Sequence, residues 1–218
     1  MAKMNRIPTQ QNFKSNILEV TPIDQDDFRM KFLDQSKMKT GTTTVGLKIK
    51  DGVVLATDNR ASMGSYVSNK NAQKLLRIQD HIYMTIAGSV ADAQYLIDLL
   101  RAETEIYNLR NKKTIGVGAT AKLLQNILYN KKGFYQVGHL VGGFSEREGA
   151  KLYDLGGYGS ILDEDFASVG SGSTFAMGVL ETEWQPNLSK DEGAELAKKA
   201  VRSAIIRDID RKSTRLNS

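Results

Sequence analysis

Cysteine is missing from all 218 residues, so neither a disulfide framework nor thiolate chemistry is open to this chain. That absence fits a reducing compartment, and a cytoplasmic location is the expectation. Long apolar runs are missing as well. None reaches eighteen residues, and no helical membrane span is expected. The first twenty residues, MAKMNRIPTQQNFKSNILEV, lack the apolar stretch of a secretory signal. The last absence is a concentrated positive charge. The net charge is +5, but residues 1–41 hold seven Lys and Arg against five Asp and Glu, and residues 210–218 hold three against one. Each end therefore contributes +2, which leaves only +1 for residues 42–209. A nucleic-acid partner would need that charge on the folded body, and none is expected.

What is present is one sizeable apolar complement, 40% of the residues, enough for a single core. Residues 1–41 are polar, contain two of the three prolines and show no sustained period, so they read as a leader segment. The pattern changes at residue 43. TTVGLKIK and VVLATD flank Asp51 and Gly52, a strong hairpin signal. Further strands are expected at 81–87 (HIYMTIA), 136–144 and 151–154. Ser89 with Asp92 resembles a capping box, and behind it Ala93, Leu96, Ile97 and Leu100 share one helical face. A second helix carries Thr120, Leu123, Leu124, Ile127 and Leu128. A third starts at the box Ser189 and Glu192 and aligns Ala197, Ala200, Val201, Ala204 and Ile205. Each helix is apolar on one side only, which suggests sheets packed together with helices outside.

The candidate chemistry lies in KTGTTTVG, residues 39–46. Cutting between Gly41 and Thr42 would give one residue both a hydroxyl and a free α-amine. An α-amine has a pKa of roughly 7.7–8.0, so near neutrality part of it can accept the hydroxyl proton as the oxygen attacks a carbonyl. Before the cut, the same hydroxyl can attack the Gly41 carbonyl, and glycine leaves the approach open. If the hairpin holds, Asp58 at the end of VVLATD folds back beside Thr42 and can pair with Lys74. An ammonium held there favours a deprotonated threonine oxygen. Alone, Gly-Thr is also an ordinary strand start, and each charge an ordinary surface charge.

GTTTVGLKIKDGVVLATDNRASMG, IAGSVADAQ and SVGSGSTFAMGVLE resemble β-type subunits of archaeal 20S proteasomes, in order and separation, from Gly41 to about Ile209. The resemblance implies an N-terminal nucleophile hydrolase with an α+β fold, a four-layer αββα sandwich, and threonine peptidase activity. By that likeness Thr42 is the nucleophile and Gly41 the residue before the processing site. Asp58 and Lys74 are the charged pair beside it, Ser171 contacts the threonine amine, and Asp208 holds that serine. Gly88 supplies a backbone N–H to the oxyanion hole. Ser62 pairs its backbone with substrate, while Ala61, Ala72, Ile86 and Val90 line an uncharged pocket that would favour apolar residues before the cut.

The same likeness implies other β-type and α-type subunits in stacked rings as partners, an ATPase regulator acting indirectly, and unfolded polypeptides as substrates. No cofactor and no metal are expected. It divides the chain into a propeptide at 1–41 and a catalytic domain at 42–209. Where the family pattern has a serine three residues after Asp208, this chain has Arg211. The ending RKSTRLNS resembles a translated sequencing adapter, so 210–218 is expected to be a non-native tail on a C-terminally truncated domain. The peptidase subunit of the bacterial two-ring ATP-dependent protease is an alternative with the same implied fold, although GTTTVG and GSGS favour the proteasome. A ring subunit that never processes itself is the non-enzymatic alternative. Gly41, Thr42 and Lys74 together speak against it, because an inert copy has no chemical use for all three.

Overall fold

The computed structural model describes residues 41–59, 61–63, 66–69, 72–131 and 133–208, with backbone alone at 61–63 and 66–69. The expected leader, Arg211 and the tail lie outside the described residues. Strands β1 (Thr43–Ile49) and β2 (Gly52–Thr57) form the expected hairpin, paired from Thr44↔Thr57 to Ile49↔Gly52. The turn is Lys50 and Asp51, one residue earlier than Asp51 and Gly52, and neither residue has a positive φ. Gly52 thus opens β2 instead of supplying the mirror-image turn that Asp-Gly usually signals. On the other side of β1 lies β11 (Phe166–Gly170), giving a three-stranded sheet ordered β11-β1-β2.

The second sheet is built from β5 (Leu75–Gln79), β6 (Ile82–Thr85), β8 (Val137–Ser145), β9 (Gly149–Leu155) and β10 (Ile161–Asp163), in the order β10-β9-β8-β6-β5. A short β7 (Ala87–Gly88) also pairs with β8. The ribbon β3 (Ala61–Met63) and β4 (Tyr66–Asn69) stands apart as its own pair. The expected strand at 81–87 is therefore broken at Ile86. Neither the ribbon nor β5, β10 and β11 was foreseen.

Among the described residues there are four helices: α1 (Val90–Asn111), α2 (Val117–Asn130), α3 (Ser173–Glu183) and α4 (Lys190–Arg207). Leu96, Ile97 and Leu100 of α1 and Leu124 and Leu128 of α2 bury against Ile82, Met84, Val141 and Leu155 of the larger sheet. Ala176 and Leu180 of α3, with Ala197, Ala200 and Ala204 of α4, cover Val45 and Leu47 of the smaller one. Between the sheets lie Leu140, Leu152 and Ala167, flanked by Val53, Leu55 and Val169. The order of layers is helix, sheet, sheet, helix, the four-layer αββα arrangement. Each fully buried leucine contributes about 1.5–3 kcal/mol, so three apolar interfaces hold the layers. Glycines let the sheets close. A β-carbon on Gly138 would lie 2.6 Å from Val169, and one on Gly46 would lie 2.7 Å from Leu152.

The helix starts follow their signals. Ser189 and Glu192 form the full reciprocal capping box of α4. At α1 only half of it forms. Ser89 Oγ accepts the Asp92 amide at 3.4 Å, while the Asp92 carboxylate accepts the Gln136 amide at 3.1 Å and ties the helix start to β8. One stripe residue departs from expectation: Ile205 is 48% exposed, whereas Ala197, Ala200, Val201 and Ala204 are buried. It sits in the last turn of α4, on the helical face that turns away from the sheet.

Candidate active site

Because β1 starts at Thr43, Thr42 stands at the mouth between the end of β11 and the end of β2. The pairing Thr43↔Gly170 brings the chain after β11 to one side of Thr42, and Thr44↔Thr57 brings Asp58 to the other. Asp58 clasps the strand start. Its Oδ1 accepts the Thr43 amide at 2.8 Å, and its own amide donates to the Thr43 carbonyl at 3.2 Å.

Lys74 comes from the segment before β5. Its ammonium donates to Thr42 Oγ1 at 2.8 Å and to Asp58 Oδ2 at 3.1 Å. The Lys74 and Asp58 side chains are 5% and 2% exposed, so this ion pair lies out of water. A buried pair of this kind is tolerated when further hydrogen bonds satisfy it, and the Thr43 amide and Thr42 hydroxyl do so. Its net effect is to aim a cation at one particular oxygen.

The other side of Thr42 is polar and hydrogen-bonded. The Thr42 amide donates to Ser171 Oγ at 3.2 Å, and Ser171 Oγ lies 2.6 Å from Asp208 Oδ2. A hydroxyl has one proton, so the short contact assigns it to Asp208 and leaves the serine lone pairs facing the Thr42 nitrogen. Asp208 is the C-cap of α4, 5% exposed, and its amide donates to the Ala204 carbonyl at 2.8 Å. The helix end thus aims a carboxylate at the strand start. Gly170 makes the approach possible. It has a φ of 111°, and a β-carbon there would lie 2.2 Å from the Thr42 carbonyl oxygen.

Sequence reasoning missed Thr43 as a member of this cluster. Its Oγ1 is buried and finds no hydrogen-bond partner among the described residues. A β-carbon on Gly172 would lie 2.2 Å from that hydroxyl and 3.3 Å from Asp208 Oδ2, so both oxygens flank Gly172. No sequence signal distinguishes Thr43 from any other strand threonine.

The remaining expected residues fall as follows. Gly88 ends β7 with a φ of 118°, at the entry to α1, and Ser89 continues by donating its amide to Gln136 at 2.9 Å. Ala72 is half-buried and donates its amide to the Asn59 carbonyl at 2.8 Å. Ile86 is 3% exposed and packs into the core under α1. Val90 is 46% exposed at the first position of α1. Ala61 and Ser62 lie in β3, where only backbone is described. Gly41 is buried against the site. Among the described residues no group of three His, Cys, Asp or Glu is arranged to hold a metal ion.

A family model described as "Proteasome subunit" matches residues 38–215. The chain is 47% identical over 177 residues to the proteasome subunit beta of Methanosphaera stadtmanae, covering 81% of this chain and 85% of that one. It is 43% identical over 206 residues to the proteasome subunit beta of Haloferax volcanii, covering 94% and 84%. For the proteasome subunit beta of Methanothermobacter thermautotrophicus the figures are 46% over 176 residues, 80% and 83%. On a match of that extent, over a four-layer fold of this kind, the chain belongs to the proteasome subunit family.

Proposed function

We propose that this chain is a catalytic β-type subunit of a proteasome core particle, a threonine endopeptidase that releases Thr42 by cutting its own Gly41–Thr42 bond. One observation carries the reading: the buried Lys74 ammonium, paired with Asp58, stands 2.8 Å from Thr42 Oγ1. Residues 1–41 act as a propeptide, and the chain from Thr42 onward as the peptidase domain.

In the precursor, Thr42 Oγ attacks the Gly41 carbonyl carbon, and the Gly41–Thr42 C–N bond breaks to free the Thr42 α-amine as that nitrogen takes up the hydroxyl proton. Water then hydrolyses the resulting ester to restore the hydroxyl and release the Gly41 carboxylate. That amine then stays where the Thr42 amide now sits, against Ser171 Oγ. Neutral amine takes the hydroxyl proton as Oγ attacks the substrate carbonyl, and Lys74 stabilises the oxygen as charge develops on it. The tetrahedral oxyanion is met by the Gly88 N–H. Collapse of the intermediate passes the proton to the leaving amine and leaves an ester on Thr42, which water cleaves. Ser171 and Asp208 orient the amine. Ser62 pairs its backbone with the substrate. Ala61, Ala72, Ile86 and Val90 favour an apolar residue before the cut, since an ionised side chain there would be buried without a partner.

Subunits of α and β type in stacked rings are the working context, in the cytoplasm, with unfolded polypeptides as substrate. Mass spectrometry of the assembled particle tests the reading. The wild-type chain is expected to begin TTTVGLK, whereas Thr42→Ala stays unprocessed and cleaves no peptide. A Thr42→Ala particle with peptidase activity would sink the assignment.

A further inference from the structure

The apolar run at 81–87 carries a built-in break. β6 pairs with β8 from Ile82↔Gly143 to Met84↔Val141, and β7 resumes the same register at Ala87↔Gly138. Between them, side chains replace the backbone ladder. The Leu140 amide donates to the Thr85 hydroxyl at 3.1 Å, and His139 Nδ1 lies 3.1 Å from the Thr85 carbonyl oxygen. A carbonyl only accepts, so Nδ1 carries the ring proton and donates it.

Nε2 is then the lone-pair nitrogen, and it is buried with no hydrogen-bond partner among the described residues. His139 is fully buried, and desolvation lowers its pKa to about 4, so the ring is neutral near pH 7. An apolar side chain would fill this part of the core without leaving a nitrogen unpaired. Packing alone therefore gives no reason for an imidazole here. The hydrogen bond to Thr85 does.

That bond holds the residue between two parts of the site. Next to Thr85, the Ile86 amide turns to the opposite neighbour and donates to the Lys74 carbonyl at 2.9 Å. Lys74 in turn carries the ammonium on Thr42 Oγ1. Two residues beyond Ile86 is Gly88, with its φ of 118°. We propose that His139 is a positioning residue: by holding the Thr85 carbonyl it fixes the break between β6 and β7, and so sets where Lys74 and the Gly88 amide stand relative to Thr42. The inference rests on the peptidase reading of Thr42.

The test uses assembled, processed particles carrying His139→Leu, His139→Asn or His139→Gln. The asparagine amide nitrogen takes the place of Nδ1 and can donate to Thr85, whereas the glutamine nitrogen takes the place of Nε2 and points away. His139→Leu is expected to assemble with kcat lowered roughly tenfold and KM within about twofold, because small displacements of reacting groups act on the chemical step. His139→Asn should stay close to wild type, and His139→Gln should resemble the leucine variant. Hydrogen exchange of the Ile86 amide should quicken in His139→Leu and not in His139→Asn.

Wild-type kcat in His139→Leu, or asparagine no better than glutamine, overturns the proposal. If the leucine variant fails to assemble, the asparagine–glutamine comparison alone decides. If the wild-type particle cleaves nothing, the peptidase reading has failed. The clamp is then judged separately, and unchanged Ile86 exchange in His139→Leu refutes it.

Discussion

Replacing Lys74 by methionine separates the two things a buried cation can do at this site. Its ammonium lies 2.8 Å from Thr42 Oγ1, and at an effective dielectric constant of about 20 two unit charges at that distance attract by about 6 kcal/mol. This is the gross stabilisation available to an oxyanion forming on Thr42. Water entering beside methionine returns part of it, and a net loss of about 4 kcal/mol corresponds to roughly a thousandfold in rate. Lys74→Met is therefore expected to lower kcat by about 10³-fold or more with little change in KM, the pattern of an interaction made in the transition state.

The same substitution takes the ammonium from Asp58, whose side chain is 2% exposed. Removing one partner of a buried ion pair costs about 3–5 kcal/mol of stability. The double variant Lys74→Met/Asp58→Asn removes the charge that needed compensation and keeps an acceptor for the Thr43 amide. Most of the stability should return while the activity does not. Thermal unfolding of assembled particles and hydrolysis of a fluorogenic peptide measure the two effects side by side. Near-normal turnover by the double variant would mean that Lys74 serves only to neutralise Asp58, and the electrostatic account would be refuted.

Other outcomes follow from single residues. His139 binds a proton far less readily in the fold, at about 4, than at its ordinary value of 6.5. The unfolded chain therefore takes up more protons between those values, so stability present above pH 6.5 is lost as pH falls towards 4, by up to about 3 kcal/mol. Melting temperatures from pH 7.5 to 4 should decline less steeply in His139→Leu, and parallel curves would show that the buried ring is not the cause. At Gly88 a β-carbon would lie 2.2 Å from the Gln136 carbonyl oxygen at a φ of 118°, so alanine there must displace the backbone N–H. Gly88→Ala should assemble yet lose about 10²–10³-fold in kcat, and full activity would remove Gly88 from the oxyanion site.

Local pattern determined the parts of this protein whose causes are local. The capping box at Ser189 and Glu192 and the periodic faces of α1, α2 and α4 were legible because caps and helical stripes depend on residues three or four apart. The β1–β2 hairpin was legible for the same reason, to within one residue of its turn. By contrast, α3 buries only Ala176 and Leu180, too few to mark a stripe, and the glycine–serine run before it hides the end of β11. HIYMTIA reads as one strand because its composition does not reveal that Lys74 and His139 take the hydrogen bonds of Ile86 and Thr85.

From the residues alone the candidate site was legible as the Thr42 hydroxyl after Gly41, with Asp58 brought beside it by the hairpin and able to pair with Lys74. Family likeness, not spacing, named Ser171 and Asp208, which lie 37 residues apart and meet at 2.6 Å because α4 ends over the edge of the smaller sheet. Lys74 and Thr42, 32 residues apart, meet at 2.8 Å. Thr43 gave no sign of its buried hydroxyl. Such meetings depend on how sheets and helices stack. Stacking is set by the summed burial of many apolar faces, so no short stretch of the chain encodes it.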